Sequence, residues 1–580
     1  MNIQALCHIP KSNYAYAYKT DELHIRIRTA KGDMTSVYII NGNKFNWKNS
    51  QERHQMKKVY EDQYFEYYQY ELRSKDFRIG YYFELLSEGE TLFYTEAGIV
   101  DKFNDELAYC YFFQFPYLNE VDVHTLPAWT REAVFYQIFV ERFFNGDEKN
   151  SPPNLSDWDS EPQSRSFHGG DLRGIIAKLD HLTELGINGI YLTPIFASPS
   201  NHKYDITDYF EIDPYFGDKE TFRELVEEAH KRDIRIVLDA VFNHCSDKFP
   251  PFADVVEKGR ASKYYDWFHL QEDQVVRNPL NYETFGYISS MPKLNTANPE
   301  MKKYLLDCVR YWTEEFHIDG WRLDVSDEID HKFWREFRTV LKEINKDAII
   351  IGENWHDALP WLMGDQFDSV MNYPVTKLCL DFFARKQMDA FSFTEQLGGY
   401  LMRYPNQVNE VMLNLLDSHD TERFLYSCNG DKESLKSAAT FLFAYQGMPC
   451  TYYGTEIGMT GHYDPGCRRG FNWNREQWDV ELFDHYKKLI HLRKSEEALK
   501  HGTIGFDSTK SLFAMKRSLL SECIYILINN SEMEQNYQIR DDKVSTAVDL
   551  LSGQSWNRTG ETWIIPVPSG SYFYIKTQFE

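Results

Sequence analysis

Asp319-Gly-Trp-Arg-Leu-Asp-Val325 sets an arginine and an aspartate two residues apart within an apolar run. In an extended strand, residues i and i+2 share a face. Arg322 and Asp324 would then point one way, and Trp321, Leu323 and Val325 the other. Charge is costly to bury unless paired, and a guanidinium beside a carboxylate favours its ionised form. A strand ending in Arg322 and Asp324 therefore presents either a structural ion pair or an ionised carboxylate ready for chemistry.

Outward from this stretch, strands alternate with helices. Eight short apolar segments read as strands: 134–140, 187–193, 234–239, 320–324, 348–351, 367–373, 411–416 and 450–453. Leu172, Ile175, Ile176, Leu179, Leu182 and Leu185 keep helical spacing, and Gly186 closes that helix. Phe222, Leu225, Val226 and Ala229 mark a second helix face. A βα repeat of this length predicts a (β/α)8 TIM barrel over 123–244 and 301–502. Residues 245–300 are too long for an ordinary loop after strand three and show little helical pattern, which predicts an inserted subdomain. Residues 1–122 alternate with period two, as in Leu23-His-Ile-Arg-Ile-Arg28, and predict an N-terminal β-sandwich. Alternation returns over 503–580, for example in Cys523-Ile-Tyr-Ile-Leu-Ile528, and predicts a C-terminal antiparallel β domain.

Composition narrows the function. The 580 residues carry a formal charge of -25, which argues against nucleic acid and anionic membranes as partners and fits a neutral substrate. Aromatics make up 16%, and rings stack on sugars as well as filling cores. Nine scattered cysteines without a CxxC motif suggest reduced thiols in the cytoplasm. The first ten residues lack the pattern of a secretory signal, and no stretch is long enough to span a membrane.

Barrel active sites lie at the C-terminal ends of the strands. There the chain delivers Asp239 and His244 after strand three, Arg322 and Asp324 at strand four, and Glu353 after strand five. His419 and Asp420 follow strand seven, and Asp464 and Arg468 lie beyond strand eight. Several carboxylates with histidine and no cysteine ligands fit glycoside hydrolysis, in which one carboxylate attacks and a protonated one donates. Asp324 is assigned as nucleophile because Arg322 would hold it ionised. Glu353, after a wholly apolar strand, is assigned as acid/base, because desolvation raises a carboxyl pKa. A metal hydrolase is the rival use of such a cluster, but neither HxH nor HExxH is present.

Asp239-Ala-Val-Phe-Asn-His244, Gly320-Trp-Arg-Leu-Asp324, Gly352-Glu353 and Asp417-Ser-His-Asp420 resemble the four signature regions of the α-amylase family. The resemblance covers about 130–475. It implies that Asp324, Glu353 and Asp420 are nucleophile, acid/base and transition-state stabiliser. It further implies that His244, Arg322 and His419 bind the sugar at the cleavage point, that Tyr204 stacks under it, and that Asp464 and Arg468 bind the next one. Trp355 and Phe285 are candidate stacking platforms, with core packing as the plain alternative. Asp205 reads as a structural acid, and His202 and His356 carry no expected chemistry.

Met291-Pro-Lys-Leu-Asn295 and the leading β domain resemble the neopullulanase, cyclomaltodextrinase and maltogenic amylase subfamily. This implies cleavage of cyclodextrins, maltooligosaccharides or pullulan, with transglycosylation, by a homodimer. The alternatives are an α-1,6-specific oligosaccharide glucosidase and a non-catalytic sugar-binding scaffold. Trp47 stands where an aromatic would reach the partner, although Gly42-Asn-Lys-Phe45 departs from the usual motif. Asn145, Asp147, Asn150 and Ser151, with Gly169 and Asp171, resemble the subfamily's calcium loop; a solvated turn is the plain alternative.

Overall fold

The computed structural model describes residues 1–540, 544–558 and 562–579. The barrel strands are β1 (Phe135–Ile138), β2 (Gly189–Leu192), β3 (Arg235–Ala240), β4 (Gly320–Leu323), β5 (Ile349–Gly352), β6 (Ser369–Val370), β7 (Leu413–Leu415) and β8 (Met448–Tyr452). They run parallel in the order β6-β5-β4-β3-β2-β1-β8-β7. A bridge from Met371 to Leu413, with Asn372 N–H donating to Leu413 O at 2.8 Å, closes the ring.

Alternation along these strands divides the core in two. Phe135, Tyr191, Val237, Ile349, Ile351 and Leu413 fill the barrel interior. Tyr136, Ile190, Ile236, Leu238, Trp321 and Leu323 pack outward against the helices. Arg322 is thereby turned inward, as the period-two reading of β4 requires. Helix Leu172–Leu185 follows β1 and ends on Gly186 at φ +93°, a left-handed cap that glycine adopts without strain. Helix Lys219–His230 follows β2 and buries Phe222, Leu225, Val226 and Ala229. The segment after β5 contains only the 3-10 turn Leu359–Trp361 where the repeat would place a helix.

The insert after β3 is held by isolated bridges such as His244–Lys293 and Phe268–Leu294. It also contains helix Pro250–Lys258, which the sequence reading missed. A proline at the first helical position and a single buried turn (Pro251, Phe252, Val255) give too short a period to recognise. A ribbon of Phe196–Ala197 with Asp208–Ile212 was likewise too short to show.

Residues 15–115 form two antiparallel sheets whose facing side chains, among them Ile25, Ile27, Val37, Ile39 and Phe83, make a separate core. This sandwich is tied to the barrel by Arg26, Lys31 and Tyr18, which reach Tyr404 O, Glu395 and Glu410 respectively. After helix Glu497–His501, a five-stranded and a two-stranded antiparallel sheet complete the described chain. Trp47 does not reach outward. It is 5% exposed, packs on Tyr82, Phe103 and Phe112, and donates to Asp105 Oδ1 at 3.1 Å. The period of a short turn could not reveal that this ring fills its own domain's second small core.

Candidate active site

Arg322, wholly buried, is the hub at the C-terminal end of the barrel. Its Nη1 donates to Asp324 Oδ1 at 2.9 Å and to both oxygens of Asp239 at 3.0 Å. Its Nη2 lies 2.9 Å from Glu353 Oε1, an ion pair whose angle falls outside hydrogen-bond geometry. One guanidinium thus gathers carboxylates from β3, β4 and the end of β5. Asp239 is fixed further by hydroxyl donation from Tyr191 at 2.6 Å and Tyr204 at 2.9 Å.

This sharing corrects one expectation. Arg322, shared among three carboxyls, does not by itself hold Asp324 ionised. Burial pushes the Asp324 carboxyl well above its usual range; Arg322 opposes this, and Glu353, Asp239 and Asp420 add to it. Burial also raises Glu353, against Arg322 and with Asp420. Three carboxyls sharing one cation in a buried space retain at least one proton. Asp324 Oδ2 is buried without any hydrogen-bond partner, whereas Glu353 Oε2 accepts Val325 N–H at 2.9 Å. Strand β4 ends at Leu323, and Val325, at φ +44° and ψ +44°, turns to line the site, where the sequence reading put it on the apolar face.

The carboxylates open into a cavity of about 580 Å³. Every expected sugar-contacting position except Arg322 and His419, which lie beneath the floor, lines it. The Tyr204 ring is stacked on His419 at 5.4 Å and 5°. His419 Nδ1 accepts from Gln137 Nε2 at 2.7 Å, so the ring proton sits on Nε2, which approaches Asp420 Oδ2 at 3.2 Å. Burial, with Arg468 and Arg322 nearby, holds His419 neutral. His244 is likewise pushed by burial to about 3, and its Nε2 has no partner. Arg468 bridges Asp420 at 3.3 Å and Asp464 at 3.0 Å.

Aromatic walls flank the carboxylates. Phe285 lies on His244 at 4.8 Å, and Trp355, 49% exposed, lies flat on Tyr373 at 3.7 Å. Asp205 accepts from the Ser198 and Ser200 hydroxyls, as a structural acid does. His202 lines the cavity, and His356 is exposed and pairs with Asp327 at 3.1 Å. Sequence reasoning missed Gln137 and the anchoring role of Asp239. The signal was a lone amide inside Val134-Phe-Tyr-Gln-Ile-Phe-Val140 and an acid ending an apolar strand.

The oxygen-rich loop lies at the N-terminus of helix Leu172–Leu185. Asn145 Nδ2 donates to Ser151 Oγ at 2.9 Å, and Asn145 Oδ1 is buried without a partner. Gly169, at φ +84°, packs so closely that a Cβ would meet Asn145 Nδ2 at 2.8 Å. Asp147 caps the turn Glu148–Asn150 through Lys149 N–H. Asp171 accepts N–H groups of Gly146, Asp147 and Gly174 at 3.0, 2.8 and 2.6 Å, which fixes its carboxylate within the loop. The orphaned Asn145 oxygen among hard donors fits a cation such as calcium.

The chain is similar to known proteins over its whole length. Residues 137–478 match the α-amylase catalytic domain, and residues 1–119 match the α-amylase N-terminal ig-like domain. A cyclomaltodextrinase of Geobacillus thermopakistaniensis (strain MAS1) is 46% identical over 578 residues, covering 98% of each chain. The intracellular maltogenic amylase of Bacillus subtilis (strain 168) is 42% identical over 551 residues, covering 93% of each. A solved cyclomaltodextrinase superposes with a TM-score of 0.96 at 43% identity, covering 100% of both chains. With its barrel and its leading domain both matched, the chain belongs to the α-amylase family of glycoside hydrolases.

Proposed function

We propose that the chain hydrolyses α-1,4 and α-1,6 glucosidic bonds of cyclodextrins, short maltooligosaccharides and pullulan with retention of configuration. The observation that carries this is Arg322 joined to Asp324 and Glu353 at 2.9 Å each, on the floor of one cavity. Asp324 Oδ2, free of partners, attacks the anomeric carbon while Glu353 gives its proton to the departing glycosidic oxygen. The product is a glucosyl ester on Asp324. Glu353, now ionised, takes a proton from water, whose oxygen displaces Asp324 and restores both groups; a sugar hydroxyl in place of water gives transglycosylation. Asp420 and His244 hold the hydroxyls of the reacting sugar over the Tyr204 ring, and His419, beneath the floor, orients Asp420 and Tyr204. Asp464 and Arg468 hold the next sugar, and Phe285 and Trp355 stack beyond the cleaved bond.

The substrate range is supported by the names of the relatives and by the MPKLN segment of the insert. Reducing sugar released from β-cyclodextrin, with rates on panose and pullulan beside it, tests it. No release from any of the three overturns the hydrolase reading, and activity on panose alone replaces it with an α-1,6-specific glucosidase.

Calcium at Asn145, Asp147, Asn150, Ser151, Gly169 and Asp171 belongs to the same proposal. It would tie the loop to the helix start and supply no chemistry. A homodimer through the N-terminal sandwich is supported by exposed Phe45, Tyr64 and Tyr109, and light scattering of the full chain tests it. No described helix is long and apolar enough to cross a membrane. A cytoplasmic location is supported by the relative named as intracellular.

A further inference from the structure

We propose that Val325 and Ser326 are positioning residues that fix the Glu353 carboxyl relative to Asp324, a role that rests on the hydrolase reading above. Immediately after Asp324 the chain adopts φ +44° and ψ +44° at Val325. A β-branched residue is a rare occupant of the left-handed region, and such conformations persist where the surroundings impose them. The turn aims Val325 N–H at Glu353 Oε2, 2.9 Å away. It also carries Ser326 Oγ to 2.9 Å from the Glu353 carbonyl and 3.1 Å from Asn354 Oδ1. The turn is itself anchored, because Ser326 O accepts from Trp334 Nε1 at 2.8 Å on helix His331–Ile344.

The two residues after the nucleophile therefore grip both the side chain and the main chain of the acid/base. Glu353 Oε1 faces Arg322 and Oε2 faces Val325 N–H, so neither oxygen is free to rotate away. The charged and titratable groups around Glu353 are Arg322 and Asp324 of the β4 end, Asp239 of β3, Asp420 after β7 and Tyr373 after β6. Val325 N–H adds a neutral donor to that set, and a donor to a carboxylate favours its ionised form.

The test is the pH profile of kcat/KM on β-cyclodextrin for Val325→Gly, Val325→Ala and Ser326→Ala in the full chain, with melting curves. Glycine relaxes the turn and loosens the N–H bond. The alkaline limb, set by Glu353 as acid, should then move up by about half a pH unit. Its kcat should fall about tenfold with KM nearly constant and no loss of melting temperature. Val325→Ala, which keeps a Cβ, should lie between glycine and the native residue. Ser326→Ala should lower kcat with the limb nearly in place. A native limb and native kcat in Val325→Gly overturn the proposal; if that variant does not fold, a native limb and kcat in Val325→Ala do so. Asp324→Asn and Glu353→Gln in the same series separate the two levels. Either of these remaining fully active overturns the hydrolase reading itself, whereas both inactive with Val325→Gly unchanged overturns only the positioning role.

Discussion

Arg322 at the barrel mouth and Arg26 at the seam between sandwich and barrel are 0% and 1% exposed. Arg322 meets three carboxylates. Arg26 meets only neutral acceptors: Gln69 Oε1 and Tyr404 O at 2.8 Å, Asn13 O at 3.1 Å, and Asn406 Oδ1. Their pKa values move in opposite directions. Burial pulls both down, but Asp239 and Glu353 more than reverse it for Arg322, while Arg26 stays lowered. A buried cation that satisfies carbonyls acts as a staple between domains. A buried cation outnumbered by carboxylates leaves oxygens such as Asp324 Oδ2 unpaired and available for reaction.

Replacing the group that makes Arg322's site reactive should have the largest effect. Asp324→Asn should lower kcat by roughly four orders of magnitude while melting no earlier, because it removes one of several crowded carboxyls. Steady-state rates and thermal melts check this. Unfolding of the variant would instead make the Arg322–Asp324 pair structural, like Arg26.

Arg26→Met should do the reverse. It strands several buried acceptors at the seam, costing about 3 kcal/mol, and should leave kcat per folded molecule unchanged. Denaturant titration beside active-site counting reads both; a large loss of kcat would end the contrast.

Asp239→Asn sharpens the account of the crowded site. Asp239 raises the carboxyl pKa of both Asp324 and Glu353 and shares their guanidinium. Its removal should lower the Glu353 pKa, so the alkaline limb of kcat/KM should move down by about one pH unit. An unmoved limb would show that Asp239 anchors Arg322 without acting on the charge balance.

Two smaller effects lie further from the guanidinium. Trp355→Ala should raise KM about fivefold on maltotriose with little change in kcat, the loss of one stacking face. Calcium at a hundred times its dissociation constant should stabilise the chain by about 2.7 kcal/mol, reversed by a chelator and abolished in Asn145→Ala, measured by thermal melts.

Much of this molecule is legible one residue at a time. Short apolar runs locate all eight barrel strands, which are buried on both faces, and 3.6-residue spacing locates the two helices after β1 and β2, which are buried on one. Strand ends in a barrel converge, so Asp324, Glu353 and Asp420 could be assembled on paper. Short elements left no such trace: helix Pro250–Lys258 and the ribbon at Phe196–Ala197 offer too few periods. Trp47 was misplaced because an aromatic in a turn reads the same whether it points in or out.

The amino-acid sequence by itself determined which chemical groups are present and which strand end delivers each one, since side-chain direction along a strand is a local property. Only the tertiary structure decided how charge is divided among them. Arg322 is shared because β3, β4 and β5 lie side by side, and a Coulomb interaction depends on distances between segments far apart in the chain. The same holds for Val325: its backbone leaves the strand to meet Glu353, a partner that local propensity cannot anticipate.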